Sequence, residues 1–401
     1  MSFIIFILIL SVLVLIHELG HFLTAKKMGV AVEEFGLGIP PRIYGKKIGE
    51  TIYSLNLLPF GGFVRLKGED SYEYSKEDLK DPQNFISKTP LQRAAILLAG
   101  VVMNTLFGVA LFYVFMVANG SKTSHIPLIF DHAFEFGEVR TVDTVVFSLD
   151  EKSPLKDKME PGEAIVFIGA SDVNWGTPVD SVEEIREAVA TAYSMELSVE
   201  EESLEAEEVG NTKEVVVRVL DLAAEKERSL TITPYLDEEG DPLLGVYLGS
   251  SAQIFYQEPA QKLASGFLHA YNVLGYSTSA FGKLIGLSVE QGSAEPLSES
   301  VSGPVGIYSL VENIVSYSKG SVGQIALNLI DLTALISVSL AVLNVLPLPA
   351  LDGGRVLFIA IESVRGKRVS PKVEAAVHKA GILVLMSLLL LVSVRDVIRI
   401  F

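Results

Sequence analysis

Four stretches of this chain are almost unbroken in apolar residues: 3–23, 94–117, 325–346 and 377–394. Each has about the 20 residues that a helix rising ~1.5 Å per residue needs to cross ~30 Å of hydrocarbon. Each therefore predicts a membrane-spanning helix.

Between these stretches the periodicity changes. In "VEEFGLGIPPRIYGKKIGETIYSLNLLPFGGFVRLKGED", residues 32–70, polar and apolar positions alternate and are interrupted by Gly and Pro. This predicts short strands and a hairpin with its turn at 59–62, and residues 51–57 are apolar enough for the membrane interface. Further on, "SPLKDKMEPGEAIVFIGASDV" (153–173) predicts a turn, a short helix and a strand. "SVEEIREAVATA" (181–192) predicts an amphipathic helix, and "EVVVRVLD" and "RSLTITPYL" two more strands. The glutamate-rich 195–210 is expected to be a solvated insertion. Residues 259–287 have helical spacing but are too polar to span; they suit an amphipathic helix either on the membrane surface or packed on the soluble domain.

Composition sharpens this picture. The chain is 49% hydrophobic yet carries a formal charge of −17, so apolar and charged residues are segregated along it. The first span has no basic segment before it and no clean small-x-small cleavage site after it, so it is expected to be retained and not removed as a signal peptide. Residues 25–93 hold 11 Lys and Arg, and a second basic cluster (Arg355, Arg365, Lys367, Arg368, Lys372, Lys379) lies between the last two spans and at the start of the last. In 119–322, by contrast, acidic residues outnumber basic ones 34 to 13. The two basic loops predict a cytoplasmic location for themselves, placing the acidic segment and both termini outside. With no cysteine in the chain, disulfides and thiolate metal sites are excluded. There is no fixed-period repeat, phosphate-binding glycine loop or basic aromatic surface, which makes nucleotide and nucleic acid poor candidate partners.

The candidate chemistry lies in "LVLIHELGHFL", residues 13–23, inside the first span. His17 and His21 are four apart, so on a helix they face one side and can share a metal, while Glu18 can reach a metal-bound water. Ionisable residues at this depth are costly and tend to face a protein interior and serve function. A catalytic zinc site usually takes a third protein ligand. His125, His132 and His269 lie in the outside segment and His378 begins the last span, so none is an obvious choice. Asp352, in "LNVLPLPALDGGR" (343–355), is a better source, because Pro347 and Pro349 break the helix before it and an acid there can turn inward.

With these motifs in place the sequence resembles the site-2 protease family (M50), in its bacterial RseP-type branch. The H-E-L-G-H, the N-x-x-P-x-P-x-L-D-G-G at 344–354, P-x-G-G-x-V at 59–64, G-x-x-x-N at 100–104 and "SGPVGI" at 302–307 all match, over essentially the whole chain. The resemblance implies an intramembrane zinc metalloprotease of the bacterial inner membrane, cutting single-span membrane proteins such as anti-sigma factors or remnant signal peptides. By the same resemblance His17, His21 and Asp352 would bind zinc and Glu18 would be the general base and acid. Asn344, Pro347, Pro349 and Asn104 would shape the substrate cleft, and 141–236 would be one extracytoplasmic PDZ-like domain that sieves or docks substrates.

The implied architecture is a multi-pass α-helical membrane protein. It has spans at 1–24, 94–118, 324–351 and 377–401, a membrane-associated β-hairpin loop at 25–93, an extracytoplasmic α+β region at 119–258, an amphipathic helix and linker at 259–323, and a cytoplasmic loop at 352–376. Val101 stands where the family usually has proline, Arg355 where many members have histidine, and Glu163 where a Gly-Asp is usual in the PDZ-like loop. The last departure bears on peptide binding more than on fold. The competing reading is an inactive membrane scaffold that binds extended peptides through the PDZ-like domain. A zinc protease merely anchored by its first helix is disfavoured, because the motif lies within that helix.

Overall fold

The structure, a computed structural model, describes every residue except 70–74, 76, 172–174, 203–213, 223, 294, 297–301, 318–321 and 401. It forms two compact units, one of Met1–Ala118 with Leu263–Phe401, the other of Asn119–Lys262. The described helices, in chain order, are α1 (Ser2–Lys27), α2 (Pro90–Ala118), α3 (Val182–Glu202), α4 (Pro259–Gln291), α5 (Pro304–Tyr317), α6 (Val322–Val345), α7 (Asp352–Arg365) and α8 (Pro371–Ile400).

Four of them, α1, α2, α6 and α8, are long and apolar enough to cross a membrane, and they coincide with the four expected spans. On α1 the buried positions Phe6, Ile9, Leu13, His17, Gly20 and His21 recur every three or four residues, so the histidines lie on the face that meets the protein. On α2 the buried face runs through Arg93, Leu97, Gly100, Asn104, Gly108 and Phe112. Small residues set the closeness of these helices, as is common among membrane spans. A Cβ on Gly20 would stand 2.3 Å from the Ala99 carbonyl oxygen, and one on Gly108 would stand 2.6 Å from Val338 of α6.

The first loop is β1 (Val32–Ile48) and β2 (Thr51–Leu66). The turn joining them is at Gly49–Glu50, not at 59–62; residues 59–62 lie inside β2. There β2 bends back, so that the first half of β1 is flanked on both sides: Leu37 pairs with both Leu55 and Gly62, and Phe35 with both Tyr53 and Val64. Glu34 is buried within this hairpin and accepts two hydrogen bonds from the Arg42 guanidinium, at 3.0 and 2.5 Å.

The last third of the chain holds more helix than expected. The third span stops at Val345, before the prolines and short of the expected 351, and Asp352 opens α7, which occupies much of the expected loop at 352–376. Residues 304–317, expected as linker, form α5, which packs Val311 against Phe6, Ile9 and Leu13 of α1. The amphipathic 259–287 is the 33-residue α4, and its Gly266 meets the Val109 backbone of α2.

The second unit carries β3 (Ile126–Leu128), β4 (Glu138–Leu149), β5 (Glu163–Ala170), β6 (Gly176–Pro178), β7 (Val215–Asp221), β8 (Lys226–Ile232) and β11 (Val246–Phe255) in one sheet. Its order is β3-β11-β4-β5-β7-β8, with β6 on β5, and the pairings are antiparallel. β9 (Tyr235–Leu236) and β10 (Pro242–Leu243) pair separately. The helix α3 covers the sheet, burying Ile185, Val189 and Ala192 against Ile165, Ile168 and Val217. Strands are present at 163–170 and 215–221; the one expected at 228–236 runs over 226–232, with Tyr235–Leu236 pairing separately, and the expected short helix near 153–159 is a series of turns. The sheet also needs β11, so this unit reaches past residue 236. Of the glutamate-rich insertion, 195–202 continue α3, and 203–210 lie outside the described residues.

Candidate metal centre

α1 brings His17 and His21 to the interface with α2, and the start of α7 brings Asp352 to the same point. His17 Nε2 lies 3.0 Å from Asp352 Oδ2, His21 Nε2 lies 3.1 Å from His17 Nε2, and His21 Nε2 lies 3.4 Å from Asp352 Oδ2. One nitrogen from each histidine and one carboxylate oxygen thus converge from residues up to 335 positions apart. Ligand atoms around a tetrahedral zinc, at ~2.0–2.1 Å from the ion, are themselves ~3.3 Å apart. The donor set is therefore of the right kind and nearly the right spacing for that metal.

The surroundings prepare this set. His21 Nδ1 donates to the Ile96 carbonyl oxygen at 2.9 Å, which fixes the tautomer and leaves the Nε2 lone pair facing the other two donors. Gly100 of α2 lies directly against both rings: a Cβ there would be 2.6 Å from His17 Cε1 and 2.6 Å from His21 Nε2. The helix break that exposes Asp352 also depends on glycine. A Cβ on Gly353 would meet the Val345 and Leu346 carbonyl oxygens at 2.3 Å, and one on Gly354 the Leu348 oxygen at 2.2 Å, so only glycines let α7 begin folded back on the end of α6.

Glu18, next to the first histidine, accepts a hydrogen bond at 3.0 Å from the backbone N–H of Val64. The bent-back half of β2 therefore runs beside the centre, with Gly62 close to the Glu18 side chain. Sequence reasoning did not find this donor, or the Ile96 carbonyl, because both are backbone groups; the P-x-G-G-x-V stretch was the only hint of the first.

The remaining expected residues stand further off. Asn104 is buried one turn along α2 from Gly100, and its carbonyl accepts the Ser337 hydroxyl of α6 at 2.8 Å. Asn344 is half-buried in the last turn of α6, and Pro347 and Pro349 lie in the connection to α7. Among the described residues, no hydrogen bond or ion pair joins these four side chains to the His17, His21 and Asp352 cluster. His125 and His132 belong to the second unit, and His269 is buried on α4 against Phe112.

The chain matches Peptidase family M50 over residues 5–388. A protein of Clostridium perfringens, named as a candidate zinc metalloprotease, is 30% identical over 98% of this chain and 97% of its own length. The zinc metalloprotease RasP of Geobacillus kaustophilus is 29% identical over 100% of this chain and 98% of its own, and RasP of Oceanobacillus iheyensis 26% identical over 99% and 98%.

Proposed function

Since the chain belongs to peptidase family M50, a family of zinc metalloproteases, we propose that it is an intramembrane zinc endopeptidase that cuts single-span membrane proteins. The observation that carries this reading is the convergence of Asp352 on His17 and His21, which lie with Glu18 on a helix fit to span a membrane. In this reading the three ligands hold one zinc, which when bound supplies Lewis acidity and an activated water.

The chain's own groups do the rest. Glu18, oriented through one carboxylate oxygen by the Val64 N–H, takes a proton on the other and returns it to the departing amine. A helical substrate hides its carbonyls in its own hydrogen bonds and has to unwind before it is cut. The outer edge of β2 beside Glu18 suits strand addition to such a segment, replacing its lost backbone bonds. Asn344, Pro347, Pro349 and Asn104 are proposed to shape the cleft.

We also assign the basic loops to the cytoplasm and the second unit to the outside, and read that unit as a PDZ-like module. A groove of about 260 Å³ within it supports peptide binding, being lined by Val182, Ile185 and Val189 of α3 and by Leu244, Val246 and Leu248. β11 borders this groove through Val246, Tyr247 and Leu248, which suits addition of an extended peptide as a strand. An inactive scaffold would use the same groove but need no metal. Zinc measured in the purified protein decides between them: one ion per chain in the wild type and its loss in Asp352→Ala supports the protease, and a metal-free wild type refutes it.

A further inference from the structure

α8 supplies no donor to the metal centre, and none of the residues in its apolar stretch is buried within the chain. It nevertheless makes one specific attachment beside the centre. In the connection 346–351, Pro347 and Pro349 have no N–H. The N–H groups of Leu346, Leu348 and Leu351 bond to the oxygens of Leu343, Leu346 and Leu348, so they stay within the connection and the end of α6. The N–H of Ala350 instead leaves the connection and donates to His378 Nδ1 of α8 at 2.9 Å. Ala350 adopts a φ of +79°, a conformation that costs an alanine roughly 1 kcal/mol or more and that persists where the surroundings impose it.

Two further contacts hold the imidazole in place. Gly381, one turn on from His378, lies against Pro349 so closely that a Cβ would stand 2.4 Å from the proline Cβ. The Phe358 ring of α7 packs at 5.8 Å from the imidazole centroid.

From this we infer that His378 is a positioning residue for the metal centre: its Nδ1 clamps the Ala350 backbone and so fixes the turn that presents Asp352, two residues on. Because the Ala350 N–H can only donate, Nδ1 must accept, so the working form is the neutral tautomer protonated at Nε2. The last helix thereby becomes a buttress for the ligand that comes from farthest along the chain. This inference rests on the metal site proposed above and deepens it.

The test uses the full-length protein stripped of metal, with zinc affinity read by chelator competition and kcat and KM on a single-span substrate. His378→Phe keeps a ring against Phe358 but has no acceptor, whereas Asn places an oxygen near the Nδ1 position. The expected result is that His378→Phe and His378→Ala lose about tenfold or more in zinc affinity, the usual scale for an outer-shell partner, with kcat falling and KM held. His378→Asn is expected to stay within about threefold of wild type, because it retains the bond. Wild-type behaviour in His378→Phe, or losses in Asn as large as those in Ala and Phe, overturns the inference. Should the Phe form not fold, Asn against Gln decides, since the Gln oxygen reaches toward the Nε2 position and only Asn should retain zinc. A wild type that takes up no zinc sinks the underlying metal site instead, which is a separate failure.

Discussion

Replacing Gly100 by alanine sets two opposed effects against each other. In an unencumbered helix interior the change is favourable by about 0.5–1 kcal/mol, because glycine has more backbone freedom to lose. At position 100, however, the new methyl carbon would be 2.6 Å from both His17 Cε1 and His21 Nε2 and 2.8 Å from His17 Nδ1. That is 0.8 Å inside the 3.4 Å at which ordinary contact begins. Separating α1 from α2 is no easy relief, since Gly20 already lies at backbone contact with Ala99. The rings must turn, and metal sites tolerate ligand displacements of only about 0.2 Å. Overpacking of this kind costs ~1–3 kcal/mol, and a disturbed ligand shell ~10–100-fold in metal affinity, so the clash outweighs the propensity gain. Zinc titration of Gly100→Ala should therefore show at least tenfold weaker binding and a matching loss of peptidase activity. Gly282→Ala on α4, where a Cβ meets nothing within 4 Å, should leave both unchanged. If Gly100→Ala binds zinc as the wild type does, the packing of α2 against the two histidines is not as described.

Glu18→Gln should retain stoichiometric zinc and lose about 10²–10⁴-fold in kcat, the usual share of a general base; full activity would remove Glu18 from the chemistry. Val64→Pro deletes the N–H that Glu18 accepts, and about tenfold lower kcat with unchanged zinc content is expected; an unaffected kcat would show that this bond does not orient the carboxylate. Buried Arg93 pairs at 2.6 Å with the half-buried Glu362, which Arg368 also meets at 3.1 Å, so Arg93→Ala should destabilise the folded protein by about 2 kcal/mol in a denaturant titration, and no measurable loss would make the pair dispensable. Because the chain has no cysteine, single cysteines at the exposed Lys80 and Glu239 can report sidedness: an impermeant thiol reagent applied to intact cells should label Glu239→Cys and spare Lys80→Cys, and the reverse would invert the proposed orientation.

The centre was legible to the extent that it rests on costly side chains. Two histidines and a glutamate within an apolar run demand a reason, and Pro347 and Pro349 announce the break that frees Asp352. What escaped notice depends on backbone atoms or on glycine's lack of a side chain. The Val64 N–H and the Ile96 carbonyl have no sequence identity of their own. Residues 352–376 read as a loop, yet the Asp-Gly-Gly at 352–354 is a helix start that only glycine allows. The hairpin turn was misplaced for a related reason. Pro59–Gly62 does bend the chain, but as a fold-back inside β2, while the quieter Gly49–Glu50 makes the true turn. In the second unit, β11 inserts between β3 and β4 from about a hundred residues along the chain, a pairing that local periodicity cannot disclose.

If this protein cuts peptide bonds within the membrane, the position of the cut is the decisive measurement. Substrates trapped on Glu18→Gln in native membranes, identified and then incubated with wild-type protein in a bilayer, give fragments whose ends mass spectrometry can place. New termini are expected inside the substrate's apolar segment, and they should be absent when Asp352→Ala replaces the wild type. Termini that fall only in water-exposed segments, or that persist with Asp352→Ala, would contradict cutting within the membrane.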